Sequence, residues 1–149
     1  MIMRTFLFVT AAALLVASPA LAKGGKSKWM AGPPGLPAGS TFMVVKGDPG
    51  KAGMFTIRAK LPANYSVPPH FHATDEKVSV KDGGPIAYGM GDKIDTSSSG
   101  SLEKGYHVTL GANMHHWATT SAPTTIEVSA MGPFSITYVN PADDPRTAK

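Results

Sequence analysis

Cysteine is absent from this chain of 149 residues. Without cysteine the protein has no disulfide framework, no thiolate metal ligand and no cysteine nucleophile. Any metal that it binds must therefore be held by nitrogen and oxygen atoms. A chain of this length predicts one domain that is stabilised by its hydrophobic core.

Charged residues are also scarce, at 16% of the chain, and the net charge is only +4. Three lysines lie in a Gly- and Ser-rich stretch at residues 23–28, and no basic stripe follows a strand. The other cations that we considered alternate with apolar residues and are interpreted as solvated outer positions: Arg58, Lys60, Lys77 and Lys81. This pattern argues against a nucleic-acid partner.

Helical periodicity is lacking beyond the first segment, which has the pattern of a secretory signal peptide. Arg4 precedes an apolar, uncharged run at residues 6–17, and Ala20-Leu21-Ala22 supplies a small-x-small cleavage site. We predict cleavage after Ala22, so that residues 1–22 are removed. The run is shorter than the ~20 apolar residues that span a bilayer, so no membrane association is expected after cleavage. The mature protein is then exported, either to the periplasm or out of the cell.

Short apolar runs, separated by Gly, Pro, Asn and Asp, fill residues 41–139. Apolar and polar residues alternate in 54–61, 76–81, 126–130 and 134–138. Alternation with a period of two indicates strands that have one buried face and one wet face. Eight or nine such strands predict an all-β fold, a double-stranded β-helix or jelly-roll barrel.

The segments that flank this barrel domain have a different composition. Residues 23–40 are rich in Gly, Pro, Lys and Ser and are predicted to be an irregular N-terminal segment. Residues 140–149 contain two prolines and no apolar alternation, so they are predicted to form a C-terminal tail.

A metal site is predicted from the segment after two consecutive prolines, which favour extended backbone. His70 and His72 are two residues apart, so in an extended segment both imidazoles point to one face. Glu76 has the same parity as Val78 and Val80 and is expected to share their inward face. A carboxylate buried beside valines is costly unless it is paired or coordinates a metal. We therefore predict that Glu76 is a metal ligand.

A fourth ligand is expected from the adjacent pair His115 and His116. Only one of two neighbouring strand residues can face inward. A bend in residues 111–114 would break the alternation that leads up to the pair, so alternation alone does not choose between the two histidines.

These residues resemble the two motifs of the cupin superfamily. The first motif, G-x5-H-x-H-x3,4-E-x6-G, is matched by His70, His72, Glu76 and Gly83. The second motif, G-x5-P-x-G-x2-H-x3-N, is similar to the stretch from Gly105 that places its histidine at residue 115. The chain thus resembles a small exported single-domain cupin of the conserved-barrel type. The resemblance implies that His115 is the fourth ligand and that His116 points away from the metal.

The expected cofactor is one divalent transition metal, which three imidazoles and one carboxylate restrict to Mn, Fe, Co, Ni, Cu or Zn. Four protein ligands leave room for water or substrate on an octahedral ion. Trp117, Tyr88 and Met90 are weaker candidates for the pocket lining and are interpreted first as core residues. No further catalytic residue is predicted.

The resemblance implies a metal-dependent oxygenase or a related enzyme that acts on a small organic molecule. The first alternative is a non-catalytic periplasmic module that binds a metal or a small ligand. A second alternative is a barrel in which the metal serves only to stabilise the fold. The resemblance also implies a homodimer as a further expectation, and the exposed strand edges of a jelly roll are compatible with pairing.

Overall fold

A computed structural model describes residues 28–147 of the chain. The predicted signal peptide, residues 1–22, lies outside the described residues. In the described part no helix is long and apolar enough to cross a membrane. Eleven strands are present there: β1 (Met30–Ala31), β2 (Thr41–Lys46), β3 (Gly53–Leu61), β4 (Ser66–Phe71), β5 (Glu76–Gly83), β6 (Ile86–Met90), β7 (Gly100–Leu102), β8 (His107–Leu110), β9 (His116–Thr120), β10 (Thr124–Gly132) and β11 (Thr137–Tyr138).

The strands form two antiparallel sheets. The larger sheet has the order β1-β2-β3-β10-β5-β8 and the smaller one β11-β4-β9-β6-β7. Consecutive strands switch between the sheets, as from β3 to β4 and from β4 to β5, which is the connectivity of a jelly roll. The prediction of an all-β, double-sheet fold is confirmed.

The core lies between the two sheets. In the larger sheet the predicted alternation holds, since Phe55 and Ala59 in β3 and Val80 in β5 are buried. The smaller sheet contributes Ile86 and Leu102 to the same core. Arg58 pairs with Glu127 across β3 and β10 on the outer face, as expected for a solvated side of the sheet.

The predicted strand at 134–138 is shorter in the structure. Only Thr137–Tyr138 forms a strand, and it pairs with β4 at the edge of the smaller sheet. Before it, the Phe134 N–H donates to the carbonyl of Pro49 at 2.8 Å, so this part of the chain leaves the sheet. Residues 134–138 do alternate between apolar and polar side chains, but the backbone of Phe134 makes a hydrogen bond outside the sheet that a regular strand would not make.

The predicted irregular N-terminal segment includes β1, which pairs with β2. After β1 the chain crosses one end of the barrel without regular structure. The Tyr138 hydroxyl donates to the carbonyl of Gly35 at 2.9 Å, and the Tyr65 hydroxyl donates to the carbonyl of Pro37 at 2.5 Å. These two buried tyrosines hold the crossing segment against the core.

Candidate metal centre

Four polar side chains meet inside the barrel at the ends of three strands. His70 lies in β4, and His72 follows the last residue of that strand. Glu76 is the first residue of β5, and His116 is the first residue of β9. The four residues are only 3–8% exposed, which is unusual for ionisable side chains without a partner.

Strand register explains why His70 and His116 face each other. The two residues are directly opposed on the neighbouring strands β4 and β9. Opposed residues of an antiparallel pair point to the same face of the sheet. Their rings therefore meet edge to face, with centroids 4.2 Å apart.

The distances within the cluster suit a metal ion. One ring nitrogen from each of His70, His72 and His116 lies within 4.8 Å of the other two. Glu76 Oε2 is 3.5 Å from His72 Nε2 and 3.4 Å from His116 Nε2. Two ligands at ~2.1 Å from one ion are about 3.0–3.4 Å apart for octahedral to tetrahedral angles. The four side chains need only small shifts to reach a common ion.

Backbone carbonyls fix the protonation of the three rings. Nδ1 of His70 lies 2.7 Å from the Pro68 carbonyl, and Nδ1 of His72 lies 2.7 Å from the Ser135 carbonyl. Nδ1 of His116 lies 2.8 Å from the carbonyl of Met114. A carbonyl oxygen only accepts hydrogen bonds, so each Nδ1 carries the proton and donates. The Nε2 lone pairs are left free, as in histidines that bind metal through Nε2.

The cluster contains acceptors but no donor to satisfy them. The Nε2 atoms of His72 and His116 are buried and have no hydrogen-bond partner. Buried polar atoms without partners are rare, and each one destabilises the fold. Three imidazole lone pairs and one carboxylate converge, so a cation is the group that fits this site.

The pKa shifts keep the ligands in the forms that bind metals. Burial, together with the neighbouring His116, lowers the pKa of His70 to about 3. Burial also lowers the pKa of His72. Burial alone would raise the pKa of Glu76, but its contact with His116 and the nearby His72 hold that pKa below its usual value. At neutral pH the cluster therefore offers neutral imidazoles from His70 and His72 and a carboxylate.

The structure corrects the expected fourth ligand. His115 is not in the cluster, because its Nδ1 lies 2.5 Å from Asp92 Oδ1 and its side chain is 38% exposed. Its ring stacks on Phe71, with centroids 5.1 Å apart. His116, which was expected to point away from the metal, takes the inward place.

A sharp bend accounts for this change of one residue. Asn113 has a φ of 60°, in the left-handed region, and its N–H donates to the His72 carbonyl at 2.7 Å. β9 then begins at His116, so its inward positions are His116, Ala118 and Thr120. The alternation of the preceding strand does not continue through the bend.

A cavity of about 410 Å³ adjoins the cluster and includes all four of its side chains in its wall. Tyr88 and Trp117 also border the cavity. Met90, the third residue considered for the lining, does not border it and is 48% exposed. The rest of the cavity wall is mainly aliphatic, so the three histidines and Glu76 form a polar patch in an otherwise apolar cavity.

Two contacts of the site were not predicted from the sequence. The Phe134 ring stacks on His72, with centroids 4.3 Å apart and planes 21° apart. The next residue, Ser135, gives the carbonyl that orients the same histidine. The alternating pattern predicted a strand here, and no signal in the sequence marked the turned carbonyl.

No protein-family profile matches the sequence, and no curated protein matches it. Solved structures do match. A putative acetylacetone dioxygenase from Methylibium petroleiphilum has a TM-score of 0.62 at 17% identity, over 88% of this chain and 90% of that one. A DMSP lyase from Ruegeria pomeroyi has a TM-score of 0.60 at 18% identity, over 77% of this chain and 62% of that one.

A third match is a cupin superfamily protein from Desulfitobacterium hafniense. Its TM-score is 0.52 at 10% identity, over 62% of this chain and 77% of that one. The chain spans less than two thirds of the lyase, and all three identities are low. The likeness therefore establishes the fold and not the reaction. This chain has the double-stranded β-helix fold of the cupin superfamily, as its resemblance to the cupin motifs implied.

Proposed function

We propose that the protein is a metal-dependent enzyme, an oxygenase or a related enzyme that acts on a small organic molecule. One divalent transition metal would be held by His70, His72, Glu76 and His116. One observation carries the proposal: three buried histidines and the Glu76 carboxylate converge at the wall of a cavity large enough for a small molecule. A stabilising metal alone does not require such a cavity.

The residues of the chain prepare the site in three ways. The carbonyl partners of His70, His72 and His116 hold each imidazole in one tautomer and orientation. Glu76 supplies one negative charge in a buried place, which favours a divalent cation over a monovalent one. The apolar wall keeps bulk water away from the position next to the ligands.

A bound transition metal supplies Lewis acidity or redox chemistry at this position. Four protein ligands would leave room for water or a substrate on an ion of higher coordination number. The similarity to a putative acetylacetone dioxygenase over most of both chains supports the oxygenase class. That similarity is one of fold, so it supports the class and not the substrate.

A non-catalytic binding module is the second candidate, and one observation favours it. Among the described residues of the cavity wall, Tyr88 and Arg146 are the titratable side chains outside the four ligands. Arg146 stays protonated and is paired with Asp144, so Tyr88 is the only candidate general acid or base among these described residues. A protein that only stores or senses a metal or a small ligand needs no such group.

The two candidates are separated by measuring metal, binding and turnover on one preparation. The full chain is expressed, and its metal content is determined by inductively coupled plasma mass spectrometry. Oxygen uptake is then followed with β-diketones, catechols and related small chelating molecules. We expect about one metal ion per chain and oxygen uptake with at least one compound. His116→Ala should lose both, and its matched control His115→Ala should keep both.

Other results would change the proposal. Metal and ligand binding without turnover, for every metal that the site accepts, would favour the binding module. Absence of metal from both the wild-type chain and the His115→Ala variant, even after reconstitution, would contradict the metal-dependent enzyme and leave a module that binds a small ligand, with the histidines lining its pocket.

Export and pairing into a homodimer are further proposals that come from the sequence. The predicted signal peptide supports periplasmic or secreted localisation, and the predicted product begins at Lys23. Mass spectrometry of the mature protein in a cell fraction tests the cleavage site. Light scattering of the same protein tests the dimer.

A further inference from the structure

We infer that the substrate has a single metal-binding group at one end, its head, that carries no more than one negative charge. The remainder of the substrate, its body, is uncharged and apolar. This inference rests on the proposed function and narrows it to a class of substrate.

The wall beyond the four ligands is apolar on both sheets. The larger sheet contributes branched aliphatic side chains such as Ile57, Val78 and Ile126, and the smaller sheet contributes Val67 and Ile86. Such a surface stabilises a ligand by about 25 cal/mol per Å² of apolar area that it removes from water. A charged group placed there would lose its hydration and find no partner.

Arg146 is the only lysine or arginine among the described residues of the wall, and its charge is already paired. Its Nε and Nη2 donate to the two carboxylate oxygens of Asp144 at 2.8 Å and 2.7 Å. Nη2 also donates to the carbonyl of Ile136 at 3.0 Å. A guanidinium whose charge is paired with a carboxylate in this two-point manner offers less attraction to a second carboxylate on a substrate.

The charge of the ligand set limits the head of the substrate. A divalent ion with neutral histidines and the Glu76 carboxylate has a net charge of one positive unit. A head with one negative charge makes the buried site neutral, whereas a head with two would leave a negative charge in an apolar chamber. Tyr88 also lines the cavity and carries no charge that would favour a second anionic group on the substrate.

The test uses cobalt-loaded protein and a series of hydroxamic acids, which bind metals through two oxygens and lose one proton. Acetohydroxamic, butanohydroxamic and hexanohydroxamic acids differ only in the length of the apolar body. Adipic acid monohydroxamate has the six-carbon chain with a carboxylate at its far end. Titration calorimetry gives the Kd of each, and the visible spectrum of cobalt reports binding of the head.

We expect the Kd to fall about three- to fourfold for each added methylene, the value for transfer of one CH2 group from water. The terminal carboxylate should cancel that gain, so that adipic acid monohydroxamate binds no better than acetohydroxamic acid. A Kd that is independent of chain length, or tighter binding of the carboxylate compound than of hexanohydroxamic acid, would overturn the inference. Both results would leave the proposed function standing, because the head still binds the metal.

A variant of the wall gives a second measurement. Leu36 borders the cavity from the irregular segment between β1 and β2, so it can be changed without altering a strand. Leu36→Arg should improve binding of the carboxylate compound relative to hexanohydroxamic acid at least tenfold, and the volume-conserving control Leu36→Met should not. An unchanged ratio in Leu36→Arg would count against the inference. If the wild-type chain binds no cobalt at all, the proposed function fails first and the inference fails with it.

Discussion

Replacing His115 and His116 one at a time should show which of these two adjacent histidines is a metal ligand. His116 is 3% exposed and its Nε2 is 3.4 Å from Glu76, whereas His115 is partly exposed and pairs with Asp92. Loss of an outer-shell partner already costs 10–100-fold in metal affinity. Loss of a direct ligand in His116→Ala should therefore raise the Kd at least ~100-fold, or about 2.7 kcal/mol.

The matched variant His115→Ala should change the Kd by less than about threefold. The variant removes only the contact between His115 and Asp92, whose side chain is 64% exposed. Exposed pairs contribute ~1 kcal/mol or less to stability, so their loss should hardly disturb the buried metal ligands. The Kd is measured by competition for cobalt or zinc with a chromophoric chelator. Urea unfolding of each apo variant shows first that it is folded, because truncation of the buried His116 should itself cost ~1–3 kcal/mol. The account would be refuted if His115→Ala lost the metal and a folded His116→Ala retained it.

Three further predictions follow from the same contacts. Glu76→Gln should fold, but its Kd for the metal in the chelator assay should rise at least tenfold, because a neutral amide replaces the only anionic ligand. An unchanged Kd would contradict the role of Glu76 as a metal ligand. Burial lowers the pKa of His70 to about 3, so between about pH 3 and 6.5 the unfolded chain binds the proton that the folded chain excludes. The urea-unfolding free energy of the apo protein should therefore rise with pH in this window, by up to ~1.4 kcal/mol per pH unit, and less steeply in His70→Ala; a fall with rising pH would contradict this. In Gly89→Ala the added Cβ would lie 2.4 Å from the Trp117 ring, so the free energy of unfolding should fall by about 3 kcal/mol. The control Gly111→Ala, whose added Cβ has its nearest atom 3.6 Å away, should stay within ~1 kcal/mol of the wild type. Equal stabilities of the two variants would show that the ring moves aside freely.

The larger sheet could be predicted from the sequence because one of its faces is wet. Polar and apolar residues alternate in residues 55–61 of β3, 77–81 of β5 and 125–130 of β10, and this alternation marks the buried face without knowledge of the fold. The same rule predicted the inward position of Glu76 from the parity of Val78 and Val80. The carboxylate is 8% exposed, as that parity requires.

The choice between His115 and His116 could not be made in this way. His116 and Trp117 at the start of β9 are both buried, so the strand shows no contrast between its two faces. The bend at Asn113 separates this strand from the alternation before it. The resemblance to the cupin motifs then favoured the wrong one of the two, because the bend displaces the inward position by one residue.

Contacts made by the backbone were also beyond prediction. The Ser135 carbonyl orients His72, although its side chain gives no sign of this. Arg146 reaches the cavity wall from a segment that was predicted to be a plain tail. Both depend on how distant parts of the chain meet, which local alternation does not record.

The central claim is that His70, His72, Glu76 and His116 bind one metal ion inside the barrel. Crystals of the metal-loaded protein, with diffraction data collected above and below the absorption edge of the metal, test it directly. We expect one anomalous peak within about 2.0–2.3 Å of the three Nε2 atoms and a Glu76 oxygen. A peak at His115 and Asp92, or a fully loaded crystal with no peak between the three buried histidines, would contradict the account.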